Sequence, residues 1–507
     1  MSALESLKFA TSLEDLAALL GFKPKGLSYI LYKIPAANRY HTFKIKKKGG
    51  GEREIKAPIS HLKEVQQRLS KLLYACRAEI EQDRKPVSHG FRRGYSIVTN
   101  ARPHKCRRYV LNIDLEDFFP TFNFGRVRGF FLKDHAFGLQ PKIATIIAQI
   151  ACDGAALPQG SPCSPIISDL VGQILDMRLV RFAKEHRVTY TRYADDITFS
   201  TNQKNFPSAL ATQDPEELSK WLLGEPLIEK IEGAGFTIND AKTRMHCRGS
   251  RQLVTGLTVN AKVNIRSEYY RKARSMCESV LQSGQYHLRM LPPEEGETEP
   301  KPDTISNLAP LEGVLSHIYY VKGQADRRSA VEQRDQPSAT SKLFRRLLFY
   351  KYFVRPDRPL LIGEGKTDGI YLREAIKHLP QFHPNLGEIK GKNFELKVRM
   401  FRYSALAHQI LGLGGGSGDL KGPVLDYLRL LKKIRHRPMA HPVILVLDND
   451  EGLAAVASTI KKNFKVGHQS YDHRAVLSHH EQPLSGKNSG AGGQAHLHRR
   501  LVPACVA

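Results

Sequence analysis

The chain has 507 residues, and several features are scarce or missing. No apolar run approaches the roughly 18 residues that span a bilayer, and the N-terminal MSALESLKFATSLEDL has no basic segment followed by a hydrophobic one. A soluble, cytoplasmic protein is the expectation. The seven cysteines, Cys76, Cys106, Cys152, Cys163, Cys247, Cys277 and Cys505, form no CxxC pair. An odd number at wide spacing excludes both a disulfide framework and a zinc site, leaving reduced thiols. Acid is short: 50 Asp and Glu against 77 Lys and Arg leave a net charge of +27. Such a charge repels itself in a compact fold unless an anionic partner compensates it, and nucleic acid is that partner. A membrane surface fits poorly, because the cations form no single basic amphipathic helix. With 41% hydrophobic and 25% charged residues, global disorder and collagen-like composition are excluded.

At roughly 150 residues per domain, the length implies about three structural units. Residues 1–35 read as a short helical extension, with Ser12 capping LEDLAALLGF and Gly21 closing it. FKIKKKGGGEREIKAP follows, a cationic Gly-turn hairpin suited to a phosphate backbone. From His61 to Ile80, Leu62, Val65, Leu69, Leu72, Leu73 and Cys76 recur at helical spacing. Residues 109–115, YVLNIDL, form a strand. VTYTRYADDITFST, 188–201, reads as two strands broken at Ala194 and Asp195. LVTGLTV, 253–259, is a strand pair around Gly256. Helices are predicted over 267–285 and 311–353, around an exposed Pro/Glu-rich loop at 291–302. VRPDRP, 354–359, reads as a boundary, and beyond it strands and helices alternate as in an α/β domain. From His468 six histidines stand in a sequence without periodicity, read as a tail.

Asp195 and Asp196 stand at the tip of an apolar hairpin, and Asp114 lies in an apolar strand. Three carboxylates near one sheet drive one another toward protonation unless cations neutralise them, and two Mg²⁺ ions would do so. An Asp-Asp pair taken alone is ordinary turn chemistry. Its surroundings say more. NIDLEDFFPTF around Asp114, LPQGSPCSP at 157–165, YADD at 193–196 and GFTINDAKT at 235–243 follow the order and spacing of reverse transcriptase palm motifs, and the chain resembles a reverse transcriptase over about residues 20–350. The resemblance implies catalytic Asp114, Asp195 and Asp196 holding two Mg²⁺ ions, with the Leu115 carbonyl as a further ligand. It implies Phe119 as the ring that excludes a ribose 2′-OH, and Gln159 and Gly160 packed against nucleotide and template. Arg53 would neutralise nucleotide phosphates by bidentate contact, and Lys242 would lie near them and protonate the leaving pyrophosphate.

Asn100, Ala101 and His104 spell NAxxH before Asp114, and Val254, Thr255 and Gly256 spell VTG after the YADD hairpin. Both look like signatures of retron reverse transcriptases. That resemblance implies a cognate structured non-coding RNA whose 2′-OH primes synthesis, dNTP substrates, and a branched RNA-DNA product (msDNA). Asn100, His104, Val254, Thr255 and Gly256 would recognise the RNA, largely by shape and backbone. A group II intron or diversity-generating enzyme would lack both signatures and extend a 3′-OH. An RNA-binding scaffold restraining a toxin is a third reading, opposed by three clustered acids that repel phosphate.

RPLLIGEGKTDGIYLREAI sets Glu364 between a strand and a helix capped by Thr367 or Asp368, and HPVILVLDND ends another strand at Asp448 and Asp450. Strand ends of an open parallel sheet converge on one edge, where these acids could hold Mg²⁺. The pattern is similar to a Toprim domain, which implies a nuclease-like effector and a role in anti-phage defence. GEGKT is no P-loop, since Leu360 stands where that motif needs glycine, and GLGGGSGDL, 412–420, reads as a flexible connection. The expected architecture is an α+β right-hand polymerase followed by a small α/β domain. Its components are an N-terminal extension at 1–35, fingers and palm at 36–265, a helical thumb at 266–353, a Toprim-like domain, incomplete after Asp-x-Asp, at 356–467, and a tail at 468–507. A second copy of the chain is a further partner expected.

Overall fold

The computed structural model describes residues 1–46, 51–82, 85–217, 220–290, 302–391 and 393–447, with 456, 458–459, 470–471 and 474–475. Two compact units divide the chain, Met1–Arg266 and Ser267–Ala507.

The first unit begins with α1 (Ala3–Phe9), α2 (Leu13–Leu19) and α3 (Pro24–Ser28), which runs into a π-helical turn, Tyr29–Lys33. Ser12 caps α2 as expected: its hydroxyl accepts the Asp15 N–H, and the Asp15 carboxylate returns the bond to the Ser12 N–H. Strands β1 (Tyr40–Lys46) and β2 (Glu52–Pro58) form an antiparallel hairpin whose tip lies outside the described residues. Helix α4 (Ser60–Ile80) buries Leu62, Val65, Leu69, Leu73 and Cys76; Leu72 is half-buried at the edge of this stripe. Short α5 (Ile97–Ala101) leads into β3 (Tyr109–Leu115). Next come α6 (Phe118–Thr121), α7 (Phe124–Lys133), α8 (Pro141–Ala151) and α9 (Ser164–Glu185).

Strands β4 (Thr189–Tyr193) and β5 (Asp196–Thr201) are the YADD hairpin, and a small hairpin, β6 (Ala211–Gln213) with β7 (Trp221–Leu223), follows them. Helix α10 (Glu225–Glu232) precedes β8 (Ile238–Cys247). One antiparallel sheet orders these strands β4-β5-β3-β8, putting β3 at its centre. Its apolar face joins the helices in one core, from Leu7 through Ile113, Ile147, Val171 and Ile197 to Phe236. Last come β9 (Leu253–Val254) and β10 (Leu257–Thr258), paired around Thr255 and Gly256, both at positive φ.

In the second unit helices cover Ser267–Ser283, Ala309–Gly323, Ala330–Asp335 and Ala339–Phe349. Most of the Pro/Glu-rich loop lies outside the described residues, but its flanks, Tyr286–Met290 and Pro302–Ile305, pair as antiparallel strands that helical periodicity does not foresee. A parallel three-stranded sheet follows, with Leu360–Gly363 between Arg399–Met400 and Val443–Val446. VRPDRP is not a boundary between compact units. The Tyr350 hydroxyl lies 2.6 Å from His436 Nδ1, the Met439 N–H donates to the Val354 carbonyl, and Arg345 pairs with Asp426, so the helices and the sheet region pack as one body. GLGGGSGDL is likewise no loose connection. Gly412 ends the helix Ala405–Leu411 in the left-handed region, Gly416 donates its N–H to the Glu364 carbonyl at 2.7 Å, and the next helix starts at Ser417.

Candidate active site

Strand register brings the acids together. Asp114, one residue before the end of β3, pairs across the sheet with Asp196, the first residue of β5, and with Asn239 of β8 on its other side. Between β4 and β5 the chain reverses through Ala194, whose φ of +57° is unusual for a residue with a side chain. The Leu115 N–H donates to the Asp195 carbonyl at 3.1 Å and fixes this turn to the central strand. Burial raises the pKa of Asp196 to about 7, with Asp195 and Asp114 adding to the rise. Asp195 is also raised, by burial and by Asp114. Opposing this, Lys242 Nζ donates to Asp114 Oδ2 at 2.8 Å, and that bond raises the lysine's own pKa. Arg53 on the exposed face of β2 also lowers the Asp195 pKa by its charge.

The cluster is therefore short of positive charge, and its donors are all hard oxygens, the chemistry Mg²⁺ prefers. Among the described residues no three Asp, Glu, His or Cys side chains are arranged to hold an ion. Lys242 takes an oxygen of Asp114 instead.

The loop at 157–165 packs against β2: the Lys56 N–H donates to the Gln159 carbonyl at 2.8 Å, and a Cβ on Gly160 would lie 2.7 Å from the Lys56 carbonyl oxygen. Lys56 Nζ pairs with Asp153 at 2.6 Å, pinning the hairpin to the same segment. Gln159 and Gly160 thus neighbour the strand that carries Arg53. Phe119 is half-buried in an aromatic group, its ring centre 5.6 Å from Phe118 and 5.9 Å from Phe91.

The NAxxH and VTG segments meet: α5 packs on β9 and β10, and Thr255 Oγ1 donates to the Ile97 carbonyl at 3.3 Å. Asn100, His104 and Val254 are fully buried, however. His104 bridges Ser200 Oγ at 2.7 Å and Thr191 Oγ1 at 2.8 Å, tying the YADD strands together. Direct contact between RNA and these three is corrected accordingly, since a side chain without accessible surface cannot meet a partner from outside. Thr255 and Gly256 are the segment of VTG that reaches solvent. The amide of Asn100 has no hydrogen-bond partner among the described residues.

Sequence reading missed the support beneath the doublet. Arg192 is fully buried, and its Nη1 donates to the Ala194 carbonyl at 3.1 Å, in the turn itself. Its Nε and Nη2 bond Asp176 at 2.7 and 2.6 Å, and Nη2 reaches Asp169 at 3.2 Å. Burial disfavours the guanidinium charge, but Asp176 and Asp169 more than offset that and raise its pKa. Arg77 and Arg92 complete the group around Asp169. The signal was present: Asp169 and Asp176 are seven residues apart on one face of α9, among its buried apolar residues, with Gly172 between them. A Cβ on Gly172 would stand 3.0 Å from Arg192 Nη2.

In the second unit, register places Gly363 beside Val446, so Glu364 follows one strand end next to the end of another. Asp448 and Asp450 lie outside the described residues. Asp368, in the first turn of its helix, accepts the Gly365 N–H at 2.6 Å and holds the GEGKT turn, whereas Thr367 makes no side-chain cap bond.

A central antiparallel strand with one acid, beside a hairpin that carries two more in and directly after its turn, defines the palm of a template-directed nucleic acid polymerase. The family model described as reverse transcriptase (RNA-dependent DNA polymerase) matches residues 45–275. Retron Mx65 reverse transcriptase of Myxococcus xanthus is 32% identical over 347 residues, covering 64% of this chain and 72% of that protein. Retron Mx162 reverse transcriptase of the same organism is 35% identical, over 49% of this chain and 53% of that protein. Retron Ec86 reverse transcriptase of Escherichia coli is 32% identical, over 54% of this chain and 79% of that protein. The chain belongs to the retron-type reverse transcriptases, enzymes that make DNA on an RNA template.

Proposed function

We propose that this reverse transcriptase copies a cognate structured RNA, starting from a 2′-OH within it, and yields a branched RNA-DNA molecule. The pairing of Asp114 with Asp196 beside Asp195 carries the polymerase side of the reading. The NAxxH and VTG segments, packed on each other and both present in the sequence, support the retron-type side. Asp114, Asp195, Asp196 and the Leu115 carbonyl would hold Mg²⁺, which when bound supplies activation of the attacking hydroxyl and charge stabilisation at the transferred phosphate. Lys242, held beside Asp114, would give a proton to the departing pyrophosphate. Arg53 would neutralise the triphosphate, Gln159 and Gly160 would flank nucleotide and template, and the Phe119 ring would leave room for hydrogen but not hydroxyl at the sugar.

The C-terminal region is proposed as a Toprim-like effector using Glu364, Asp448 and Asp450, supported by the parallel sheet and by the position of Glu364 at a strand end. Its role in anti-phage defence rests on the resemblance alone.

Primer extension tests the polymerase reading. Changing Asp195 and Asp196 to Asn should lower labelled DNA synthesis by about 10³-fold or more, and chelation of Mg²⁺ should abolish synthesis until Mg²⁺ is restored. Unchanged synthesis by the double variant refutes the assignment. On the cognate RNA, a product whose 5′ end stays joined to RNA through a 2′ linkage supports the retron reading; a free or 3′-joined end favours the intron-type alternative.

A further inference from the structure

None of the side chains assigned above to the polymerase chemistry lies on the N-terminal helices, yet these helices border a groove of about 850 Å³ between α2, α3 and the π-helical turn on one side and α7 and α8 on the other. Two tyrosines of that turn line it with unusual exposure, Tyr29 at 61% and Tyr32 at 53%. Their rings are not waiting to be packed by the described chain. Tyr32 is held in place, because its hydroxyl donates to Gln149 Oε1 on α8 at 3.0 Å. Around them stand Lys25, Lys33, Lys142 and Arg128, and the one carboxylate in the lining is Glu14. None of the three lysines pairs with a carboxylate among the described residues. Arg128 anchors its Nε on Thr145 Oγ1 at 2.8 Å, which leaves both terminal nitrogens without a partner among those residues. The floor between the cations is apolar, with Ile146 buried and Leu13 half-buried.

Exposed rings on an apolar floor, ringed by cations, match what an unpaired nucleic acid strand offers: flat bases with phosphates at their edges. A base stacks on an aromatic ring whatever its identity, and lysines track the backbone. A duplex keeps its bases inside and cannot use the rings. An acidic peptide would satisfy the lysines but leave the tyrosines unused.

We propose that this groove is a binding site for single-stranded RNA, with Tyr29 and Tyr32 as stacking platforms and Lys25, Lys33, Lys142 and Arg128 as phosphate contacts. It deepens the retron-type reading and rests on it, giving an unpaired stretch of the cognate RNA a seat on the N-terminal helices.

The test uses the full-length protein with its polymerase cleft saturated by excess unlabelled primer-template. Its probe is a fluorescent oligouridylate of about 12 nucleotides carrying one 5-iodouridine. Tyr29→Ala with Tyr32→Ala should weaken the anisotropy-measured affinity by about tenfold or more, while Tyr29→Phe with Tyr32→Phe keeps it. Lys33→Glu with Lys142→Glu should lower the slope of log affinity against log salt by about 1.4. Irradiation should crosslink the probe to the peptide bearing Tyr29 and Tyr32. Equal binding by the alanine variant, equal binding of an RNA duplex of the same length, or crosslinks confined to other peptides each overturn the proposal. Primer extension by the same preparations separates the two readings. A wild type that extends primers while the alanine variant binds normally refutes the groove alone; a wild type that extends nothing refutes the polymerase reading, and anisotropy still reports on the groove.

Discussion

At the scale of single residues, burial and neighbouring charge set the behaviour of the carboxylates Asp114, Asp195 and Asp196. Asp196 is raised to about 7 because burial and two further carboxylates disfavour its charge, and Lys242 is the cation bonded to the group. A buried histidine ties stability to pH. His104 is enclosed between two hydroxyls, and burial holds its pKa down at about 3, against 6.5 for an ordinary histidine. Below pH 6.5 the unfolded chain takes up a proton that the folded state refuses. The stabilising effect of the neutral ring is therefore complete above 6.5 and falls as the pH drops toward 3, by up to about 1.4 kcal/mol per pH unit. His89, lowered to about 4 by burial and by Arg92, acts in the same sense. Denaturant melts between pH 7 and 4 should show a shallower decline for His104→Asn than for the parent; parallel curves would mean the ring does not stay neutral.

At the scale of elements, a buried ionic group holds the YADD hairpin from below, in addition to the Leu115 bond to its turn. Arg192 supports the Ala194 carbonyl from below, and α9 supplies both acids that keep it charged. Removing one partner of a buried pair strands the other charge, so Arg192→Met should cost about 3–5 kcal/mol, read as a fall in the urea midpoint. Restoring some of that loss by adding Asp176→Asn would show that the stranded carboxylate is the cause. Gly172→Ala pushes a methyl group toward the guanidinium at 3.0 Å, and about 1–3 kcal/mol should be lost. An unchanged midpoint would show that α9 can shift to admit it. The same strands were legible beforehand, since runs rich in β-forming residues set β3, β4 and β5 and the Ala194–Asp195 break set the hairpin. Arg192 was not, because a lone arginine in a strand reads as exposed until the acids of a distant helix are brought beneath it.

At the scale of the whole molecule, a net charge of +27 should show itself in salt. Affinity for a structured RNA should fall linearly on a log-log plot as salt rises, and a flat dependence would contradict phosphate-dominated binding. The first unit has its own apolar core, from Leu7 to Phe236, so residues 1–266 expressed alone should unfold in one cooperative transition. A gradual melt would mean that the second unit is needed to complete it.

Local pattern marked α4, β3 and the YADD hairpin, and chemical type with spacing marked Asp114, Asp195 and Asp196 as one site, because apolar periodicity and short motifs are properties of neighbouring residues. The packing of VRPDRP inside one body, the burial of Asn100 and His104, the charge that Arg192 gives the doublet's turn, and the groove around Tyr29 and Tyr32 were decided by the tertiary structure alone. Each depends on which distant side chains come to share a space. Burial, ion pairing and exposure belong to that shared space, and no stretch of sequence carries them by itself.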